Sequence, residues 1–116
     1  MPVIAALECP LVEKSGAILL STGSIVRQAY GQDRIEECYH CGYSVNPAYA
    51  EALFANGDLQ RTAHDLEGAV RAVELRGHPF FAATLFQSER RALRGELPPL
   101  VNAFVSTART RKAAAA

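Results

Sequence analysis

The feature that most constrains this chain is a helix whose two ends are both written in the sequence. Asn46 has the side chain of an N-cap, Pro47 suits the first helical position, and Gly57 suits the residue past the end, where a left-handed backbone is favoured. Between them Tyr49, Ala50, Leu53 and Phe54 share one face. Ahead of this helix Ile35 to Val45 reads as a strand. Behind it Leu59 to His64 and Val70 to Leu75 flank the polar loop Asp65-Leu66-Glu67-Gly68, which reads as a hairpin with a glycine available for positive φ. A helix set between a strand and a hairpin predicts an α/β domain: a mixed sheet with a β-hairpin and flanking helices.

The flanks are less sharply punctuated. Val3 to Leu7, interrupted near Pro10, and Ala17 to Leu20, set between the turn residues Ser15-Gly16 and Thr22-Gly23, predict two short strands joined by a tight connection, with Ser24 to Tyr30 forming a helical turn before Gly31. After Gly77-His78-Pro79, the run Phe80 to Phe86 has only Thr84 polar, which predicts a strand buried on both faces. Arg90 to Glu96 is polar. Pro98-Pro99 starts a last helix with Leu100, Val101, Phe104, Val105 and Ala108 as its apolar stripe, and residues from about 110 to 116 are expected to fray. No repeat or long linker divides residues 1–116, so a single domain is expected.

Composition removes several function classes. Lys plus Arg equals Asp plus Glu at 12 each, so the basic excess that non-specific nucleic-acid binding requires is missing. The one basic cluster, Arg109, Arg111 and Lys112, reads as a solvated helix end. No apolar run has the length of a membrane span, and no basic residue precedes the apolar start, so neither a membrane segment nor a signal peptide is expected. Three cysteines without a disulfide framework point to a cytoplasmic protein with reduced thiols. Nothing in the sequence implies a cofactor or a metal.

Two segments carry a family resemblance. Glu37-Cys38-Tyr39-His40-Cys41-Gly42-Tyr43-Ser44-Val45-Asn46 resembles the E-R-H-R-H-R-Y-E-V-N strand of the CTP synthase glutaminase domain, keeping Glu37, Tyr43, Val45 and Asn46. Val73-Glu74-Leu75, His78-Pro79-Phe80-Phe81 and Leu85-Phe86-Gln87-Ser88-Glu89 resemble that family's V-E-L, H-P-F-F and Q-F-H-P-E. The final helix resembles the closing L-F-x-G-F-V-x-A-A. Order and spacing together make the chain similar to the C-terminal half of a class I glutamine amidotransferase domain, of flavodoxin-like fold. The most similar subgroup is the CTP synthase C-terminal-region-related proteins, some of which carry selenocysteine.

The resemblance implies a Cys nucleophile activated by a His-Glu pair, an arrangement in which a base lies within hydrogen-bond reach and is oriented by a third group. The G-x-C-x-G elbow that carries the nucleophile has no counterpart here. Gln87 stands at the His position, and an amide cannot act as a general base near neutral pH. Glu89 alone persists. The chain is therefore not expected to be a glutaminase on its own. The resemblance also implies missing central strands, which would leave Phe80 to Phe86 near an open sheet edge. Such an edge invites pairing, so either a homo-oligomer or a place in a longer polypeptide with the N-terminal half is expected.

Cys38-Tyr39-His40-Cys41 is the remaining chemical signal. A zinc site needs a second ligand pair, and His64, His78 and Cys9 each stand alone. On a strand Cys38 and Cys41 would point to opposite faces with Cα atoms about 10 Å apart, too far for a disulfide. Cys38 and His40 would share a face as a thiol–imidazole pair, the arrangement of a reactive thiolate. Cys9 reads as a small core residue, His78 as a loop residue with a satisfied ring, and Asp33, Glu36 and Glu37 as a solvated acidic stretch. Three readings stay open: a binding or association domain with an unknown small-molecule ligand, a thiol-dependent redox enzyme using Cys38 or Cys41 with His40, and part of a longer amidotransferase-like protein.

Overall fold

A computed structural model of the chain describes residues 3–115, with side chains described outside residues 5–14, 39–43 and 115. Five strands form one sheet in the order β2-β1-β3-β4-β5: β1 (Ile4–Leu20), β2 (Arg34–Val45), β3 (Leu59–Asp65), β4 (Val70–Leu75) and β5 (Ala82–Thr84). Three α-helices, α1 (Ile25–Tyr30), α2 (Pro47–Phe54) and α3 (Pro99–Ala115), and a 3-10 helix at Ser88–Arg94 complete the domain. The α/β class and the flanking helices are as expected. The sheet is not mixed, because every described strand pairing is antiparallel. The links 66–69 and 76–81 are too short for the crossover that parallel neighbours need.

The central elements follow their punctuation. Asn46 Oδ1 accepts from Ala48 N at 3.0 Å with Pro47 in the first turn of α2, and Gly57 lies past the helix end at φ +77°. The β3–β4 hairpin is set by Asp65, whose Oδ1 accepts from Glu67 N and Ala69 N at 2.9 Å each. Its Oδ2 pairs with the buried Arg71 at 3.1 Å. Helix α1 is capped by Ser24, whose Oγ accepts from Arg27 N, and closed by Gly31 at φ +70°. A second cap reaches it across the sheet: the buried Glu74 carboxylate accepts from Ile25 N at 2.8 Å and Val26 N at 3.1 Å. Those two amides would otherwise be unsatisfied helix-start donors.

Two expectations fail at the flanks. Residues 3–7 and 17–20 are not separate strands, since β1 runs unbroken from Ile4 to Leu20. Its partner β2 pairs with both ends, from Ile4 opposite Val45 to Leu19 opposite Arg34. Ser15-Gly16 therefore pairs with Cys38 and Glu37 instead of turning. Pro10, which has no N–H to give a ladder, falls within the register shift between Ala6 and Leu11. The run Phe80 to Phe86 is likewise not a doubly buried central strand. Only Ala82–Thr84 pairs, at the sheet edge and with β4 alone. Pro79 restricts its approach, Phe81 is 44% exposed, and only Phe86 enters the core.

The core gathers Ile18, Leu20, Val26, Tyr30, Ile35, Ala63, Ala72 and Phe86, with Leu100 of α3 packed against it. Helix α3 turns Leu100, Ala103 and Thr107 inward, and its expected stripe of Val101, Phe104 and Val105 faces out. The helix continues to Ala115, into the segment expected to fray. Cys9, expected in the core, has a side chain outside the described residues. Because Phe86 is 1% exposed, Phe86→Ala should cost about 3–5 kcal/mol, measured by denaturant unfolding.

Candidate functional site

The 3-10 helix Ser88–Arg94 lies along the free edge of β2, and the candidate site forms between them. Gln87 N, just ahead of the helix, donates to Cys38 O at 2.9 Å, taking a carbonyl that an edge strand would otherwise leave open. From this anchor two arginines reach successive β2 residues: Arg91 to Glu37 and Arg94 to Cys38.

Glu37 belongs to the acidic stretch expected to be solvated, and the structure corrects this. Asp33 and Glu36 are exposed, but Glu37 is 2% exposed. Its carboxylate takes Arg91 Nε at 2.9 Å from both oxygens and also accepts from the Tyr30 hydroxyl. Arg91 Nη2 donates to Glu36 O at 3.2 Å, and the guanidinium lies 5.3 Å over the Tyr30 ring. A buried carboxylate needs this satisfaction, because an unpaired charge costs several kcal/mol in a low-dielectric interior. Burial, then the adjacent Glu37, pushes the Tyr30 phenol well above its ordinary value.

Cys38 follows Glu37 on β2 and so points to the alternate side. It is half-buried, with Sγ 3.5 Å from Ser15 Oγ and 3.8 Å from Arg94 Nη1. Arg94 is held in turn by Glu96 at 2.8 Å. The candidate thiol and the Gln87 position are thus joined through the backbone, while Glu89 sits exposed in the first turn of the 3-10 helix. The side chains of His40 and Cys41 lie outside the described residues, so the proposed thiol–imidazole pair does too. His64 is exposed, and the His78 ring accepts from Phe80 N at 3.0 Å, the satisfied loop histidine the sequence suggested.

A second concavity, of about 380 Å³, opens between the start of α1 and the start of β3. Ser21, Ser24, Phe54, Arg61, Thr62 and Glu74 contribute to its lining. Thr62 occupies the register shift between Arg61 and Ala63, a bulge that re-aims its side chain. Its hydroxyl is buried with no hydrogen-bond partner among the described residues. Sequence reading missed this residue and the Glu37 cluster, because a bulge and a buried carboxylate depend on partners far along the chain.

Two measurements check the Glu37 cluster. Arg91→Met should destabilise by about 3–5 kcal/mol by stranding the carboxylate, and Glu37→Leu added to it should recover most of the loss. The raised Tyr30 group binds its proton more tightly in the folded state. Its contribution is therefore full below the ordinary phenol value near 10 and is lost as pH rises beyond it. Tyr30→Phe should flatten the alkaline limb of the stability profile relative to the parent.

No protein-family model matches the chain. A CTP synthase of Methanothrix thermoacetophila is 36% identical over 121 residues, covering 96% of this chain and 22% of that protein. A CTP synthase of Caldivirga maquilingensis is 37% identical over 95 residues, covering 82% of this chain and 18% of that protein. Among solved structures, the CTP synthase glutaminase domain of Trypanosoma brucei with bound acivicin superposes with a TM-score of 0.77 at 22% identity. That match covers 93% of this chain and 46% of that one. The chain thus spans about a fifth of the curated relatives it matches and shares the glutaminase-domain fold.

Proposed function

We propose that this homologue of the CTP synthases, built on the fold of their glutaminase domain, acts through binding and association and does not hydrolyse glutamine with the residues present here. Gln87 carries the reading. At the position where the resemblance calls for the general base stands an amide whose backbone is committed to Cys38 O. Neither amide atom accepts a proton near neutral pH. Glu89, the surviving triad position, is exposed.

The polar cavity at Thr62 supports a binding role. Ser21, Thr22, Gln60 and Arg61 along its lining suit a small polar molecule, held in a concave site by a few convergent groups.

The placement of Cys38 favours a second reading, thiol chemistry. Arg94 and Ser15 converge on its sulfur, and a cation there stabilises the negative charge that sulfur carries into a displacement.

Ammonia release from glutamine and site-resolved iodoacetamide labelling separate the readings. The binding reading expects no ammonia above the buffer rate, and none after Gln87→His. Sustained turnover by the parent chain would overturn it. The thiol reading expects Cys38 to label severalfold more slowly in Arg94→Ala at fixed pH, and equal rates would remove it.

A further inference from the structure

A cleft of about 300 Å³ separates α3 from residues 78–80, and we propose that it is a binding site for a small aromatic carboxylate. Its apolar part is made by the rings of Phe80 and Phe104, packed edge-on with centroids 5.4 Å apart, and by Ala108 one turn further along α3. An apolar cavity of about 150 Å³ already holds benzene, so one ring fits here with room for a polar head. Rings favour edge-to-face and offset contacts, and the Phe80–Phe104 pair offers both a face and an edge to a third ring.

The polar side chains of the lining decide the charge of the ligand. They are His78, Thr107 and Arg111. His78 Nδ1 accepts from Phe80 N at 3.0 Å, so the proton of the neutral ring sits on Nε2, which is a donor. Thr107 spends its hydroxyl proton on Ala103 O at 2.9 Å. Arg111 follows Phe104 by seven residues and Ala108 by three, on the same helix face. It makes no ion pair or hydrogen bond with another described residue.

The uncommitted polar groups are thus a guanidinium and an imidazole N–H. Both donate, and no carboxylate among the described residues lines the cleft to oppose them. A planar guanidinium matches a carboxylate through two parallel hydrogen bonds. Two donors beside two rings therefore select a molecule that is aromatic at one end and anionic at the other. The cleft shares no lining residue with the concavity at Thr62 and includes neither Cys38 nor Gln87. It holds whether or not the binding reading above is correct.

Benzoate titrated into the whole chain, followed residue by residue in NMR spectra, tests the site. Saturable shifts at His78, Phe80 and residues 104–111 are expected; their absence, or shifts centred elsewhere, overturns the proposal. Arg111→Gln should raise the benzoate Kd about tenfold, as a charged hydrogen-bonding pair is lost. Arg109→Gln removes the same charge outside the cleft and should change Kd by less than about twofold, because solvent screens it. Equal losses in the two variants, or none in either, would sink the role of Arg111. Ala108→Leu fills the cleft at an exposed position and should abolish binding with the circular dichroism spectrum unchanged; undiminished binding by this folded variant rules the cleft out. Benzamide, of the same shape without the charge, should bind about tenfold more weakly, and cyclohexanecarboxylate severalfold more weakly. Affinity equal to that of benzoate removes the anionic requirement in the first case and the aromatic one in the second.

Discussion

The buried Glu37 carboxylate is the constraint around which one side of the domain is organised. A charge on a β-strand with almost no solvent contact is tolerated only with a counter-charge and further hydrogen bonds. Here Arg91 supplies the first and Tyr30 contributes the second. Those partners come from different elements, so satisfying one carboxylate ties α1 and the 3-10 helix to β2. The tie fixes where Arg94 can reach and brings Gln87 onto the Cys38 carbonyl. The candidate thiol owes its surroundings to the burial of its neighbour.

Parts of this architecture were legible because their causes are local. Asn46 caps α2, Asp65 and Gly68 set the hairpin, and Ser24 with Gly31 bounds α1, each through contacts within a few residues. What stayed hidden depends on residues distant in sequence. Nothing near Glu37 reveals that it is buried, since Arg91 lies in a polar stretch that reads as surface. Likewise Ser15-Gly16 has the chemistry of a turn, and only a full-length partner strand keeps it extended. The run Phe80 to Phe86 misled for a related reason. Apolar content marks what wants burial, but proline geometry and the single available neighbour, β4, decided how much of it paired.

The candidate site divides the same way. Cys38 and Gln87 could each be singled out, one by its residue type and the other by its place in a motif. Their adjacency required the fold. Thr62 carried no signal, because a threonine inside an alternating strand is unremarkable until a bulge shifts it out of phase.

The placement of the 3-10 helix has a consequence for how the sheet meets other chains. A five-stranded sheet has two borders, each a template for adding a foreign strand. On the β2 side Gln87 already occupies the Cys38 carbonyl, so an incoming strand would have to displace a covalently attached competitor. On the β5 side the strand is only three residues long and follows Pro79 closely. The first border is covered at Glu36 and Cys38, and the second is too brief to template a ladder. The fold thereby shortens the length of border open to a foreign strand.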